Sequence, residues 1–339
     1  MLSVKKARKD FPILNEKIGG KPIIYFDNAC QSLRPQAVID AVEEYYREYP
    51  VCEGRSIHRL GEKVTAKCHN ARKIVAKFIG AKREEEIVFT RNTTEGINLV
   101  ARSLRLERSD AILLSDKEHN SNLVPWQIKA KREKLSLIIN GSDENNGFDL
   151  ENFRKNMSEK VKLVAVGITS NLDGMSAPIE EIIEIAHGYG AKVLLDGAQA
   201  LAHREINVTK LDVDFLAFSG HKMLGPSGTG VLYGKYDLLN ELDSFLTGGD
   251  TVEYTTYDEY ELLPPPKKFE AGLQDYAGII GLAEAIKYLQ RIGFNKIIKQ
   301  ERKLNRYITE ELLKIPKLQI IGDKNADKRG GVISFYVAG

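Results

Sequence analysis

The spacing of apolar residues switches repeatedly between a helical period and short unbroken runs. Val64, Cys68, Ala71, Val75 and Phe78 recur at helical spacing, and Gly80 supplies a stop. Residues 86–90 read as a short strand. They lead into Thr93-Thr94-Glu95, a helix start with Ile97, Val100, Ala101 and Leu104 on its apolar face. Further strands are expected over residues 111–116, 135–140, 162–170, 191–196, 214–219 and 230–233. Several are almost wholly apolar, as strands covered on both faces are. A helix over residues 179–189 lies between two of these runs and predicts a right-handed crossover. The pattern is that of an α/β fold with a mostly parallel sheet.

Beyond residue 290 the pattern changes. A long amphipathic helix over residues 296–314 precedes strands near 318–321 and 332–337. This predicts a second, small α+β unit, truncated or minimal, because nothing evident covers its last strand. The proline cluster in residues 262–268 predicts an extended loop.

Composition narrows the function classes. The 339 residues suit one large domain and a smaller one. A hydrophobic content of 42% and a charged content of 28% fit a soluble globular protein. A formal net charge of +2 gives no field that points to nucleic acid or an anionic membrane. Apolar runs such as residues 111–114 are too short to cross a bilayer. No apolar stretch follows the basic start, so no signal peptide is expected. Cys30, Cys52 and Cys68 are odd in number and form no C-x-x-C pair, which argues against a disulfide framework and fits a reducing cytoplasm. No His or Cys spacing suggests a metal. Gly225-Pro-Ser-Gly-Thr-Gly230 resembles a phosphate loop but lacks the following Lys-Ser/Thr, and reads as a turn into the next strand.

Five polar groups fall at the ends of separate expected strands, in an order that one crevice could collect. Lys222, in Phe218-Ser219-Gly220-His221-Lys222, is placed to hold pyridoxal 5'-phosphate (PLP) as a Schiff base. Ser219 and His221 flank it and suit an anionic phosphate. Asp196 ends a buried strand, and a carboxylate there keeps the PLP ring nitrogen protonated. Gln199 is placed for the ring oxygen. Thr93 and Thr94 open a helix whose N–H groups suit a phosphate. His119, just past a strand, is placed to lie over the ring and shuttle protons. Asn171 ends another strand and can hydrogen-bond the cofactor. Taken singly, each group fits a solvated loop or a helix cap at least as well, and Asp196 fits a cap better; their conjunction carries the reading.

The chain resembles the class V aminotransferase family, and within it the group II cysteine desulfurases and selenocysteine lyases. The resemblance rests on Tyr25-Phe-Asp-Asn-Ala29 with Ser32, Gly54-Arg-Ser-Ile-His58, Thr93-Thr-Glu-Gly-Ile-Asn98, Glu118-His119, Asn122-Leu-Val-Pro-Trp126-Gln127, Asp196-Gly-Ala-Gln199, Phe218-Ser-Gly-His-Lys222 and Phe269-Glu-Ala-Gly272, in family order. It implies the PLP-dependent transferase fold of type I, with a seven-stranded sheet sandwiched by helices. It implies an N-terminal segment (1–24) packing with the small domain, a large PLP-binding domain (25–290) and an incomplete small domain (291–339). Lys222 and His119 are then the catalytic residues, and Arg55 and His58 lie in the substrate pocket. The expected partners are a small-molecule substrate, L-cysteine or L-selenocysteine, a second copy completing the active site, and a sulfur acceptor or iron–sulfur scaffold protein.

Two departures stand out. Leu273 occupies the place of the family's phosphate-binding threonine, with Gln274 as a possible substitute. The family's nucleophilic cysteine and the arginine for the substrate carboxylate fall beyond residue 339. The expected activity is conversion of L-cysteine to L-alanine, with sulfur passed on for iron–sulfur assembly. The alternatives are a class V enzyme without a cysteine nucleophile (selenocysteine lyase, epimerase or aminotransferase) and a non-catalytic scaffold.

Overall fold

The computed structural model describes residues 3–339. Its centre is a seven-stranded sheet formed by β1 (Ile87–Thr90), β2 (Ala111–Ser115), β3 (Ser136–Asn140), β4 (Val161–Gly167), β5 (Lys192–Asp196), β6 (Phe215–Ser219) and β7 (Gly230–Gly234). The strand order is β1-β7-β6-β5-β4-β2-β3. All neighbours pair in parallel except β7, which is antiparallel to both β1 and β6.

The unbroken apolar runs have a direct cause. Along β5, Val193 and Leu195 enter one core layer while Leu194 enters the layer on the other face. Helices cover both sides, so neither set of side chains meets water. The first layer is closed by α1 (Gln36–Glu48), α2 (Arg59–Ile79), α5 (Ile179–Gly188) and α6 (Tyr276–Ile292), and the second by α3 (Thr93–Ser103) and α4 (Asn120–Glu133). Residues 162–170 were expected to be one strand, but β4 ends at Gly167, and Thr169 bridges back to Ser176 across a tight turn.

Helix α2 follows the periodicity closely. Gly80 ends it at φ +67°, a left-handed value that L side chains rarely adopt. Helix α3 is capped by Asn92, whose side chain accepts from the Glu95 N–H. Helix α4 is absent from the apolar pattern, because Asn120, Ser121 and Asn122 are weak helix formers and Pro125 sits inside it. Of residues 262–268, Leu262 ends a short strand paired with Val252, and the loop that follows is closed by the turn Lys267–Phe269.

The C-terminal part consists of α7 (Phe294–Leu312) and an antiparallel hairpin, Leu318–Ile321 with Ser334–Val337. It joins the large unit through the Met175–Arg329 bridge, a 2.7 Å bond from the Gly330 N–H to the Gly174 carbonyl, and a His203–Glu301 pair. The buried Asn305 amide donates to the carbonyls of Ala326, Arg329 and Gly330 and so ties α7 to the chain before the last strand. Phe335, Tyr336 and Val337 are exposed. At the other end, Asp10 accepts a 2.8 Å bond from the Tyr288 hydroxyl of α6, and Phe11 meets the same ring edge-on.

Candidate active site

The parallel strands deliver their carboxyl ends to one cavity of about 520 Å³. Open α/β sheets bind ligands at this edge, because loops from several strands converge there. Lys222, Asp196, Gln199, His119, Thr93, Thr94, Asn171, Ser219 and His221 all line it. Arg55 and His58 do not.

Lys222 ends the short turn Gly220–Lys222 that follows β6. The turn is pinned by a 2.8 Å bond from the Gly220 N–H to the Thr229 carbonyl and another from the Gly225 N–H to the Gly220 carbonyl. Ser32 crosses from the N-terminal segment, donating to the His221 carbonyl at 2.9 Å and accepting from the Leu224 N–H at 2.8 Å. Burial lowers the Lys222 amine below its ordinary value, against the opposing pull of Asp196 and Cys30. A larger share of neutral amine makes a better nucleophile toward a carbonyl.

Asp196 ends β5 and is buried. One carboxylate oxygen accepts from the Ala198 N–H at 2.8 Å. Burial raises its proton affinity, while Ala198, Lys222 and His119 lower it. A buried carboxylate facing a cavity favours a cationic partner there.

His119 is the N-cap of α4 rather than a free loop residue. Its Nδ1 accepts from the Ser121 N–H at 3.1 Å, so the neutral ring carries its proton on Nε2. Thr93 and Ser219 share a 2.6 Å hydroxyl contact, and the Thr93 N–H donates to the Ser219 hydroxyl at 2.8 Å. Thr94 and Ser121 make a 2.7 Å hydroxyl pair across the starts of α3 and α4. Two helix N-termini and four hydroxyls thus meet at one side of the cavity, a suitable place for a phosphate. His221, whose proton affinity is lowered by burial and by Lys222 and Arg34, lies at the same cavity. Gln199 lines the cavity too, but its amide donates to the Ala29 carbonyl at 2.8 Å and fastens the N-terminal segment. The residues present therefore suit PLP: an amine of lowered basicity, a buried carboxylate and a set of anion donors in one space.

Arg55 and His58, expected in the substrate pocket, do not line this cavity within the single chain. Arg55 is drawn to Asp250 at 2.6 Å, and His58 is used as the N-cap of α2, accepting from the Gly61 N–H at 3.3 Å. Leu273 is exposed, and the Gln274 amide is occupied by the Ala271 and Gly272 carbonyls. Cys30 is exposed and lines the cavity, Cys52 is exposed away from it, and Cys68 is buried in the core with its thiol pushed up to about 12 by burial.

Sequence reasoning gave Glu118 no task. It is half-buried, lines the cavity, and accepts from the Ser115 hydroxyl at 2.5 Å, the Asn122 amide at 2.6 Å and the Gly167 N–H at 3.0 Å. Burial pushes its carboxyl up to about 7, with those donors opposing and the Asp196 charge adding to the rise. The signal was its place beside His119, but the donors come from two strands and a helix.

A mostly parallel sheet with a lysine–carboxylate cavity at its carboxyl edge defines an α/β protein of the cofactor-enzyme type. The aminotransferase class-V family matches residues 24–339, and the chain belongs to that family. The probable cysteine desulfurase of Streptomyces coelicolor is 40% identical over 99% of this chain and 82% of the relative. The apo cysteine desulfurase of Thermococcus onnurineus NA1 superposes with a TM-score of 0.94 at 42% identity, covering 100% of this chain and 83% of that one. A C-DES mutant with glycine covalently linked to its PLP cofactor shares the fold, with a TM-score of 0.85 at 24% identity over 97% of this chain and 86% of that one. Some relatives are much longer: the chain spans 50% of the probable cysteine desulfurase of Mycolicibacterium paratuberculosis. No described helix is long and apolar enough to cross a membrane.

Proposed function

We propose that the protein is a PLP-dependent cysteine desulfurase that converts L-cysteine to L-alanine and hands the sulfur to an acceptor for iron–sulfur assembly in the cytoplasm. The observation that carries this reading is the cavity itself, where Lys222 and the buried Asp196 face one space beside an anion cradle. Bound there, PLP supplies an electron sink for the pair left when a bond to the substrate breaks. Lys222 would hold the cofactor and afterwards move a proton at the substrate. Asp196 would keep the ring nitrogen protonated. Thr93, Thr94, Ser219 and His221 would hold the phosphate, and Gln199 and Asn171 the ring edge. His119, with its proton on Nε2, would cover the ring and donate at the substrate.

The sulfur step needs a thiolate. It attacks the substrate sulfur, an S–S bond forms as the Cβ–S bond breaks, and a proton takes the place of sulfur on Cβ. The products are alanine and a protein persulfide. By resemblance the accepting cysteine follows residue 339. Arg55 and His58 would serve the pocket of a second copy of the chain. They lie beside Ile57, which is 96% exposed, a surface suited to burial in a homodimer.

A second reading is favoured by one observation: Cys30 is the only cysteine at the cavity among the described residues. A class V enzyme that needs no thiol, such as a selenocysteine lyase, would require no more. The test is to incubate the PLP-loaded protein with L-cysteine or L-selenocysteine and measure alanine, sulfide and selenide. Alanine with protein-bound persulfide from L-cysteine supports the desulfurase. Alanine and selenide from L-selenocysteine alone support the second reading. No alanine from either contradicts both.

A further inference from the structure

The turn from Asn171 to Met175 puts both of its end residues into the cavity. Between them lies Asp173, an acid with a side chain only 3% exposed. A buried carboxylate is costly unless it is paired. Its partner is Lys117, 2.5 Å away and 20% exposed, which arrives from the segment joining β2 to α4. Lys117 also donates to the Asn146 carbonyl, on the loop after β3. The other Asp173 oxygen accepts from the Met175 N–H at 3.1 Å and so shapes the turn from within.

The C-terminal unit grips this turn from outside. Gly322 approaches so closely that a Cβ there would stand 2.8 Å from the Cβ of Asp173. The Gly330 N–H bonds to the Gly174 carbonyl, Arg329 bridges Met175, and the Ser334 hydroxyl donates to the Leu172 carbonyl. Arg329 is 4% exposed, and its Nε and Nη1 have no partner among the described residues. Asp173 and Asp323 are the carboxylates whose charge acts on it. A turn held by the C-terminal unit on one side has one charged anchor to the large unit on the other. That anchor adjoins His119 in sequence, two residues from Lys117.

We infer that Lys117 and Asp173 are positioning residues: their ion pair sets where Asn171 and Met175 stand in the cavity, and through it the C-terminal unit acts on cofactor and substrate. The claim about cofactor and substrate rests on the PLP reading; the claim about the turn does not. Asp173→Asn keeps the shape and the acceptor for the Met175 N–H but removes the charge that holds Lys117. Lys117→Gln removes the other half.

The experiment measures amide hydrogen exchange of residues 171–175 in the full chain without cofactor, then PLP affinity by its visible absorption, then KM and kcat with L-cysteine. Each variant should speed exchange in the turn about tenfold and weaken PLP binding and raise KM about tenfold, with kcat within about twofold, as expected for loss of positioning. The double variant should be no worse than either single one, since both break the same pair. Asp173→Glu should restore part of the affinity. Unchanged exchange in the turn, or losses that simply add in the double variant, overturns the inference. Faster exchange in a protein whose wild type binds no PLP leaves the tie standing and sinks the PLP reading instead. Normal PLP binding in the wild type and equal binding in both variants overturns the link from tie to cofactor.

Discussion

The cavity floor and the cavity rim are built on different principles. The floor is built on regular elements: Asp196 and Ser219 end strands of the central sheet and are buried, Glu118 takes its three donors from two strands and a helix, and Lys222 sits on a short pinned turn. The rim is assembled from loops, through a charge pair, a few backbone bonds and exposed side chains such as Cys30. Rigid elements place groups within narrow tolerances, while loops adapt and can be moved. The floor is therefore suited to the cofactor and the rim to the choice and handling of substrate.

The largest break in this comparison comes from the floor. Asp196→Asn keeps the shape but removes the charge that holds the ring proton. Turnover with L-cysteine should fall by about 10²-fold or more, the scale of losing one preorganised electrostatic partner. An effect no larger than that of Asp173→Asn at the rim would mean that the floor has no special standing.

Glu118 gives a pH handle on the floor. Its carboxyl titrates near 7 in the folded chain against an ordinary value of 4.5. Between these values the folded state holds a proton that the unfolded chain releases, so this group's contribution to stability is greatest at low pH and declines as pH rises toward about 7. The full span is about 3 kcal/mol as an upper figure. Glu118→Gln should flatten the dependence of Tm on pH between those limits, measured by thermal unfolding in the absence of PLP. An unchanged slope would show that Glu118 is not the titrating group.

The smallest effect probes the rim through Cys30, with Cys52 and Cys68 as references outside the cavity. Cys30 and Cys52 should react quickly with a thiol reagent in the native protein, and Cys68, buried with its thiol raised to about 12, only on unfolding. PLP should protect Cys30 and not Cys52. Equal protection of both would place the cofactor outside this cavity.

The floor was legible in the sequence for a physical reason. Residues 191–196 and 214–219 run apolar until a polar residue must stop them, so Asp196 and Ser219 mark strand ends without any tertiary knowledge. Lys222 follows at a fixed short distance. Contacts that join distant segments were not legible. Lys117 and Asp173 are 56 positions apart, and each alone reads as a solvated surface charge. Glu118 stood beside a recognised histidine, yet one of its donors is the Gly167 N–H, 49 positions away. His119 was expected just past a strand, and its place as a helix N-cap was not legible because the helix it caps has little amphipathic pattern. Arg55 and His58 were expected at the substrate, but within one chain their strongest local partners are a carboxylate and a helix end.

The central claim is that the Lys222 amine holds PLP in the cavity it shares with Asp196. Load the wild type and Lys222→Ala with PLP, reduce both with borohydride, digest, and weigh the peptide that contains residue 222. A pyridoxyl mass on the wild-type peptide and none on the variant is the expected result. A wild-type peptide without that mass, or a label carried equally by both proteins, contradicts the account.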